Sequence, residues 1–374
     1  MTDNPFGGFF GDIFNALGQQ GPNAWFETAR TLALNVARQQ DGDPNPEPAE
    51  RLRIEQFAPL VARHVGTLLE VIVTSEIEAV NRTALTLAAL DQWRPLVTPM
   101  LEAPIPDLGS ELGDEAGATF GQLAATLGPL FTGFQLGSVA GHFSERAWSL
   151  AALPLPRDHD RRLLVVNNVA QFASEWSLLP DGPIVFALAR EFIASVVLSQ
   201  PGTGDALRVL LLEAVRDATA AQGDVLSRLT KLTNPEDLAA LMNNPEALLE
   251  GLELSDETPA TRSINAAAAV LRAVFDKMAF HVTESVLGPG APLREAYRRH
   301  QMADARGEDA AAALFGIDNH GSFQAGADEF VDQIAERHGW EAFTALLRAD
   351  GLPMELELAN PFEWFERVSN SPLA

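Results

Sequence analysis

From Ile184 to Leu198 the sequence reads IVFALAREFIASVVL, and Arg190 and Glu191 are its only charged residues. A segment this length that is apolar on every side reads as a buried helix, because no face is left for water. It therefore belongs at the centre of the fold. A charge carried into such a place needs a partner, since an isolated ion in a low-dielectric interior is costly. Adjacent helical residues point about 100° apart, so Arg190 and Glu191 need not serve one another.

The rest of the chain agrees with a mainly α fold. Ala and Leu dominate, there is one Tyr, and few runs alternate as strands do. At 374 residues the chain exceeds the usual single-domain size, so one large or two intimate domains are expected. No composition shift cuts it sharply. Residues 1–374 are read as a single helical unit, the alternative being two helical halves meeting near 150–180. Leu163-Leu164-Val165-Val166 is the best strand candidate, a minor β element.

Several classes are disfavoured. A net charge of −25 repels nucleic acid and anionic membrane, both of which require cationic neutralisation. With no cysteine there are no disulfides, thiolate ligands or cysteine nucleophile. The N-terminal residues lack a basic n-region and an apolar h-region, so a cytoplasmic location is expected. Ala116 to Ser144 contains no Asp, Glu, Lys or Arg, but Gly128-Pro129 breaks it, and two buried helices are expected there rather than a membrane span.

Further helices are expected over Asn23–Arg38, twice within Ala49–Leu90, over Gln92–Leu101, over Val169–Ser174 and over Arg262–Leu287, with shorter ones from Leu293 to Val368. Asn234-Pro235, Asn244-Pro245 and Asn360-Pro361 read as capped helix starts. Gly133, Gly137 and Gly141 recur every four residues, which opens a groove for a neighbouring backbone. The Phe-rich segment Phe6 to Phe14 reads as a docked arm or a partner contact. His142 is expected in the core, Asp158-His159-Asp160 in an exposed turn, and His320 in a turn.

Two clusters could carry chemistry. The first is Arg190 with Glu191. Glu191 is expected to bind another Arg or a water; the alternatives are a metal-free general base, or a ligand contact. The second is Asp276, His281 and Glu284. His281 and Glu284 are three apart and can share a helix face, whereas Asp276 and His281 are five apart and share one poorly. A solvated or hydrogen-bonded His–Glu pair is the expectation, and a metal pair the alternative. No phosphate loop and no G-x-S-x-G elbow is present.

Segments in order along the chain carry a family resemblance: Asn23-Ala24-Trp25, Leu127-Gly128-Pro129-Leu130, Gln135 to His142, Leu153-Pro154-Leu155-Pro156-Arg157, Phe172 to Leu178, Asn244 to Leu248, Trp340 to Phe343 and Pro361 to Trp364. Together they make the chain resemble zincin-like metallopeptidases assigned as hydrolases associated with deazaflavin-coenzyme biosynthesis. The resemblance implies a zincin-like multi-helical fold and a zinc site on a helix bearing H-E-x-x-H. There two histidines at i and i+4 bind the metal, and the glutamate is general base to the metal-bound water. The spacing from Trp176 places that motif at Arg190, Glu191, Phe192, Ile193 and Ala194. The glutamate is kept and both histidines are replaced. A family carboxylate falls near Asp276. Arg offers no lone pair and Ala no donor atom, so no zinc or other cofactor is expected. Whether the chain is an enzyme stays open. The expected role is a binding or regulatory protein holding a small molecule or peptide in the vestigial cleft; the alternative is a hydrolase with a rearranged metal site of Glu191, His281 and Glu284. Oligomeric state is not legible.

Overall fold

The computed structural model describes residues 24–39, 43–101, 132–221, 258–302, 306–319 and 321–371. It is mainly helical, with one two-stranded parallel sheet among the described residues. Two helices form the centre. One, α6 (Asp181–Leu198), is buried at every position from Pro183 to Leu198. Asp181 in its first turn suits the positive end of the helix dipole, and Pro183 sits early enough to cost no intrahelical bond. The second, α8 (Pro259–Leu287), is capped by Thr258, whose hydroxyl accepts from the Thr261 N–H at 3.2 Å. It is buried without a break from Ile264 to Phe275 and ends at Gly288, φ 88°. These helices pack on one another, and α8 also packs on α7 (Pro201–Ala221) and α11 (Phe323–His338).

Around them lie α1 (Ala24–Gln39), α2 (Pro48–Leu68), α3 (Arg82–Leu101), α4 (132–146) and α5 (Val166–Glu175). Then come α9 (Ala291–Met302), α10 (Arg306–Leu314) and the closing α12 (Pro361–Asn370). Strand β1 (Glu78–Val80) pairs with β2 (Leu163–Val165), with Ala79 opposite Leu164. Buried apolar residues from Trp25 to Val368 form one contiguous cluster. No single described helix is long and apolar enough to cross a membrane; α6 and the start of α7 meet at 81°.

Most expected elements stand. The strand at Leu163–Val165 and the helices around 24–39, 166–175, 181–198 and 259–287 are all present. Three readings need correction. The stretch taken as the second helix of Ala49–Leu90 contains strand β1, which only its pairing with β2 stabilises; a three-residue strand has no periodicity of its own. Helix α3 runs unbroken from Arg82 through Leu90 to Leu101, carrying Pro95 and Pro99 inside it. His142 is exposed, with Nδ1 3.1 Å from a Glu145 carboxylate oxygen, because the buried face of its helix is the glycine face. The Phe6–Phe14 arm, residues 116–131, the Asn234 and Asn244 starts and His320 lie outside the described residues.

The glycine stripe does what its spacing predicts. A Cβ on Gly133 would stand 2.4 Å from the Trp25 carbonyl oxygen, and one on Gly137 2.4 Å from that of Ala29. At Gly141 it would meet the Val36 Cβ at 2.5 Å. So α4 lies against α1 with its backbone in direct contact. Gly137→Ala should destabilise by on the order of 2 kcal/mol, since the clash is with backbone. Gly326→Ala on α11, where a Cβ meets nothing within 4 Å, should be neutral or stabilising by up to about 1 kcal/mol. Urea unfolding of the two variants checks this; equal effects would contradict the packing.

Candidate functional site

Glu191 is fully buried, and its carboxylate is held from two sides. Arg157 donates through both terminal nitrogens, at 2.7 Å to Oε1 and 3.1 Å to Oε2. The Ala151 N–H donates to Oε2 at 3.2 Å. Arg157 itself follows the irregular, buried segment Leu153–Pro156, and its backbone N–H donates to the Leu198 carbonyl. The bidentate pair therefore ties this segment to α6, and both side chains are all but sealed from water. A two-pronged, charge-assisted contact of this kind is among the stronger polar interactions a protein makes.

Arg190 faces elsewhere, toward α8 and α9. Its Nε donates to Asp276 Oδ1 at 2.5 Å. The same oxygen accepts from the Tyr297 hydroxyl at 3.1 Å, and Oδ2 from Gln301 Nε2 at 3.0 Å. Burial works against the Arg190 charge, but Tyr297, Asp276 and Glu308 outweigh it and hold its pKa above the ordinary guanidinium range. Burial pushes the Tyr297 phenol up, so it remains a donor. Burial likewise raises Glu308. Arg272, one turn before Asp276 on α8, is pushed down by burial; it donates to Asn319 and to the Asp318 carbonyl.

The expected site residues thus divide. Arg190 and Asp276 come together across α6 and α8. Ala194, one turn along from Arg190, is fully buried and brings no donor atom. Glu191 is engaged with Arg157. His281 stacks on Trp340 at 5.2 Å between ring centroids, and burial lowers its pKa. Glu284 accepts from Arg294 at 2.8 Å, which holds its carboxyl below the usual range. Glu191 and Glu284 thus sit in different surroundings, one sealed and one exposed.

Several contributors, Gln301 among them, escaped the sequence reading. Arg157 was hidden by the charged run after it, although its buried proline-rich lead-in is a signal. Tyr297 could have been noticed as the only tyrosine in the chain. Arg272 and Glu308 sit on helices whose pattern does not distinguish them from ordinary helical charges.

The zinc of an H-E-x-x-H helix does not fit these residues. At the positions to which the resemblance assigns the two ligands, Arg190 is a cation without a lone pair and Ala194 ends in a methyl group. Asp276 is the carboxylate bonded to Arg190, and three donors already occupy it. Among the described residues no group of three or more His, Asp or Glu could hold a metal ion.

Comparison with known proteins places this chain in a family. The family model of zincin-like metallopeptidases matches residues 25–365. A crystal structure of a "putative hydrolase with a novel fold" from Chloroflexus aurantiacus is similar over 92% of this chain and 99% of that one, with a TM-score of 0.60 and 15% identity. At that identity the likeness shows the fold. A search of functionally curated proteins gave no match. The chain belongs to the zincin-like metallopeptidase family.

Beside Tyr297, His300 packs on Trp148 and Phe172, with ring centroids at 5.9 and 5.0 Å. Arg146 donates to its backbone carbonyl at 2.8 Å. Burial, aided by Arg146, pushes the His300 pKa down to about 4. An unfolded histidine titrates near 6.5, so between those values the unfolded chain binds the extra proton and stability falls as pH falls. Relative to His300→Gln, the wild type should lose on the order of 2 kcal/mol between about pH 7 and pH 4. Urea unfolding across that range checks this; parallel curves would contradict it.

Proposed function

We propose that this member of the zincin-like metallopeptidases is a zinc-free, non-hydrolytic relative that acts by binding a ligand at the former catalytic cleft. One observation carries the reading: both oxygens of Glu191, the residue at the position of the general base, are bonded to buried Arg157. A general base must reach a water or substrate proton. A carboxylate sealed behind α6 and neutralised by a bidentate guanidinium is poorly placed for that and well placed to hold the fold together. The replaced ligands support the same reading, since Arg190 supplies a fixed positive charge where the family places a metal. The resemblance to hydrolases associated with deazaflavin-coenzyme biosynthesis is the context in which the ligand should be sought.

The second reading is a hydrolase with a metal site rebuilt from Glu191, His281 and Glu284. It is disfavoured by the separate partners of these three residues, Arg157, Trp340 and Arg294.

Two measurements separate the readings. Purified full-length protein should carry well under one equivalent of zinc, and exposure to excess zinc followed by dialysis should leave it so. Glu191→Gln should lower stability by on the order of 3 kcal/mol, because it strands a buried guanidinium, and should abolish no peptidase activity. Stoichiometric zinc lost in His281→Ala or Glu284→Ala, or peptide hydrolysis lost in a stably folded Glu191→Gln, would establish the second reading instead.

A further inference from the structure

The Arg190 side chain is only partly used by its surroundings. Its Nε is bonded to Asp276, but its two terminal nitrogens have no hydrogen-bond partner among the described residues. Nearly all of the side chain is buried, with 10% of its surface open. The Nε atoms of Arg157 and Arg272 are both sealed and unbonded, whereas the terminal nitrogens of Arg190 are not sealed in this way. Buried donors rarely go without an acceptor, because leaving them unbonded forfeits their hydration. The terminal nitrogens of Arg190 are therefore open to water or to an acceptor brought from outside the described residues.

What surrounds the fork narrows what that acceptor is. Asp276 already accepts from Arg190, Tyr297 and Gln301, and its contact with Nε holds the guanidinium in place. Glu308 lies within electrostatic reach of Arg190, and burial raises its pKa, but it makes no hydrogen bond to the fork. Two parallel N–H donors in a plane match a carboxylate in both geometry and charge. A phosphate is matched less well. It carries more negative charge, and Asp276 stands directly behind the fork in a chain of net charge −25.

We propose that the terminal nitrogens of Arg190 bind a monocarboxylate, so that the metal position of the family fold has become a carboxylate site. This rests on the zinc-free reading above and names the ligand class for it. Asp276, Tyr297 and Gln301 are positioning residues: they fix the guanidinium through Nε and leave its outer edge free. The carboxylate can belong to a small organic acid or to the C-terminus of a peptide, and both present the same two oxygens.

The test is calorimetric titration of the full-length protein with acetate, benzoate, a free-acid dipeptide, the same dipeptide as its C-terminal amide, and inorganic phosphate. Saturable binding of at least one free acid is expected, with none for the amide and weaker binding of phosphate. The acid that binds more tightly identifies the source. Arg190→Lys keeps the charge but loses the fork, and should weaken binding about tenfold or more while circular dichroism is unchanged. Should that variant fail to fold, Arg190→Gln with Asp276→Asn removes both charges together and should abolish binding in a folded protein. Absence of saturable acid binding, equal binding of the amide, tighter binding of phosphate, or binding that survives these substitutions would each overturn the proposal. Zinc content of the same preparation tells the two failures apart. Zinc-free protein without acid binding refutes only the carboxylate site, whereas stoichiometric zinc refutes the reading on which it rests.

Discussion

Helix α6 and the first half of α8 cross the centre of this protein with almost no polar face, and the charges they carry have to be neutralised inside it. Everything distinctive about the molecule follows from how that is done. Arg190 and Glu191 are sequence neighbours on α6, but they are served by different parts of the chain: Asp276 from α8 for the first, Arg157 from the segment after Ala152 for the second. At an effective dielectric near 20, unit charges about 3 Å apart attract by roughly 5 kcal/mol. Desolvating each ion costs several kcal/mol. Each pair therefore comes close to break-even as a unit, while removal of one partner is expensive. The pairs specify which segments must meet more than they add net stability.

This constraint also reshapes the family's chemistry. A metal held by two histidines and a carboxylate places positive charge between α6 and a later helix. Here a guanidinium places positive charge in the same relation to Asp276, and Tyr297 and Gln301 complete the shell. On the zinc-free reading proposed above, charge at this position keeps its sign while Lewis acidity is lost, since Arg has no coordination sphere to offer a water or carbonyl. Glu191 is bonded into the core by Arg157.

Much of this was legible in the sequence, for definite reasons. The burial of α6 followed from its composition, because a helix without a polar face has one place to go. That a backbone would lie close against α4 followed from the spacing of Gly133, Gly137 and Gly141; that the backbone is that of α1 did not. That Glu191 would need a cation was legible; that the cation is Arg157 was not, since pairing across 34 residues leaves no local pattern. Asp276 was placed loosely by resemblance, and the structure brings it to Arg190. His281 and Glu284 share a helix face as their spacing requires, yet Trp340 and Arg294 claim them, and no spacing rule foretells a competitor from another element. Strand β1 was lost to a helical reading because three residues, stabilised by a distant partner, carry no period.

The central claim is that the Arg190 guanidinium supplies the charge that Asp276 would otherwise owe to a metal. The most direct measurement is the coupling energy between the two, from urea unfolding of Arg190→Gln, Asp276→Asn and the double variant. The account predicts that each single change costs on the order of 3 kcal/mol and that the double change costs no more than either alone, because it leaves no unpaired buried charge. Additive losses, or single changes with no cost, would show that the two side chains do not depend on one another and would contradict it.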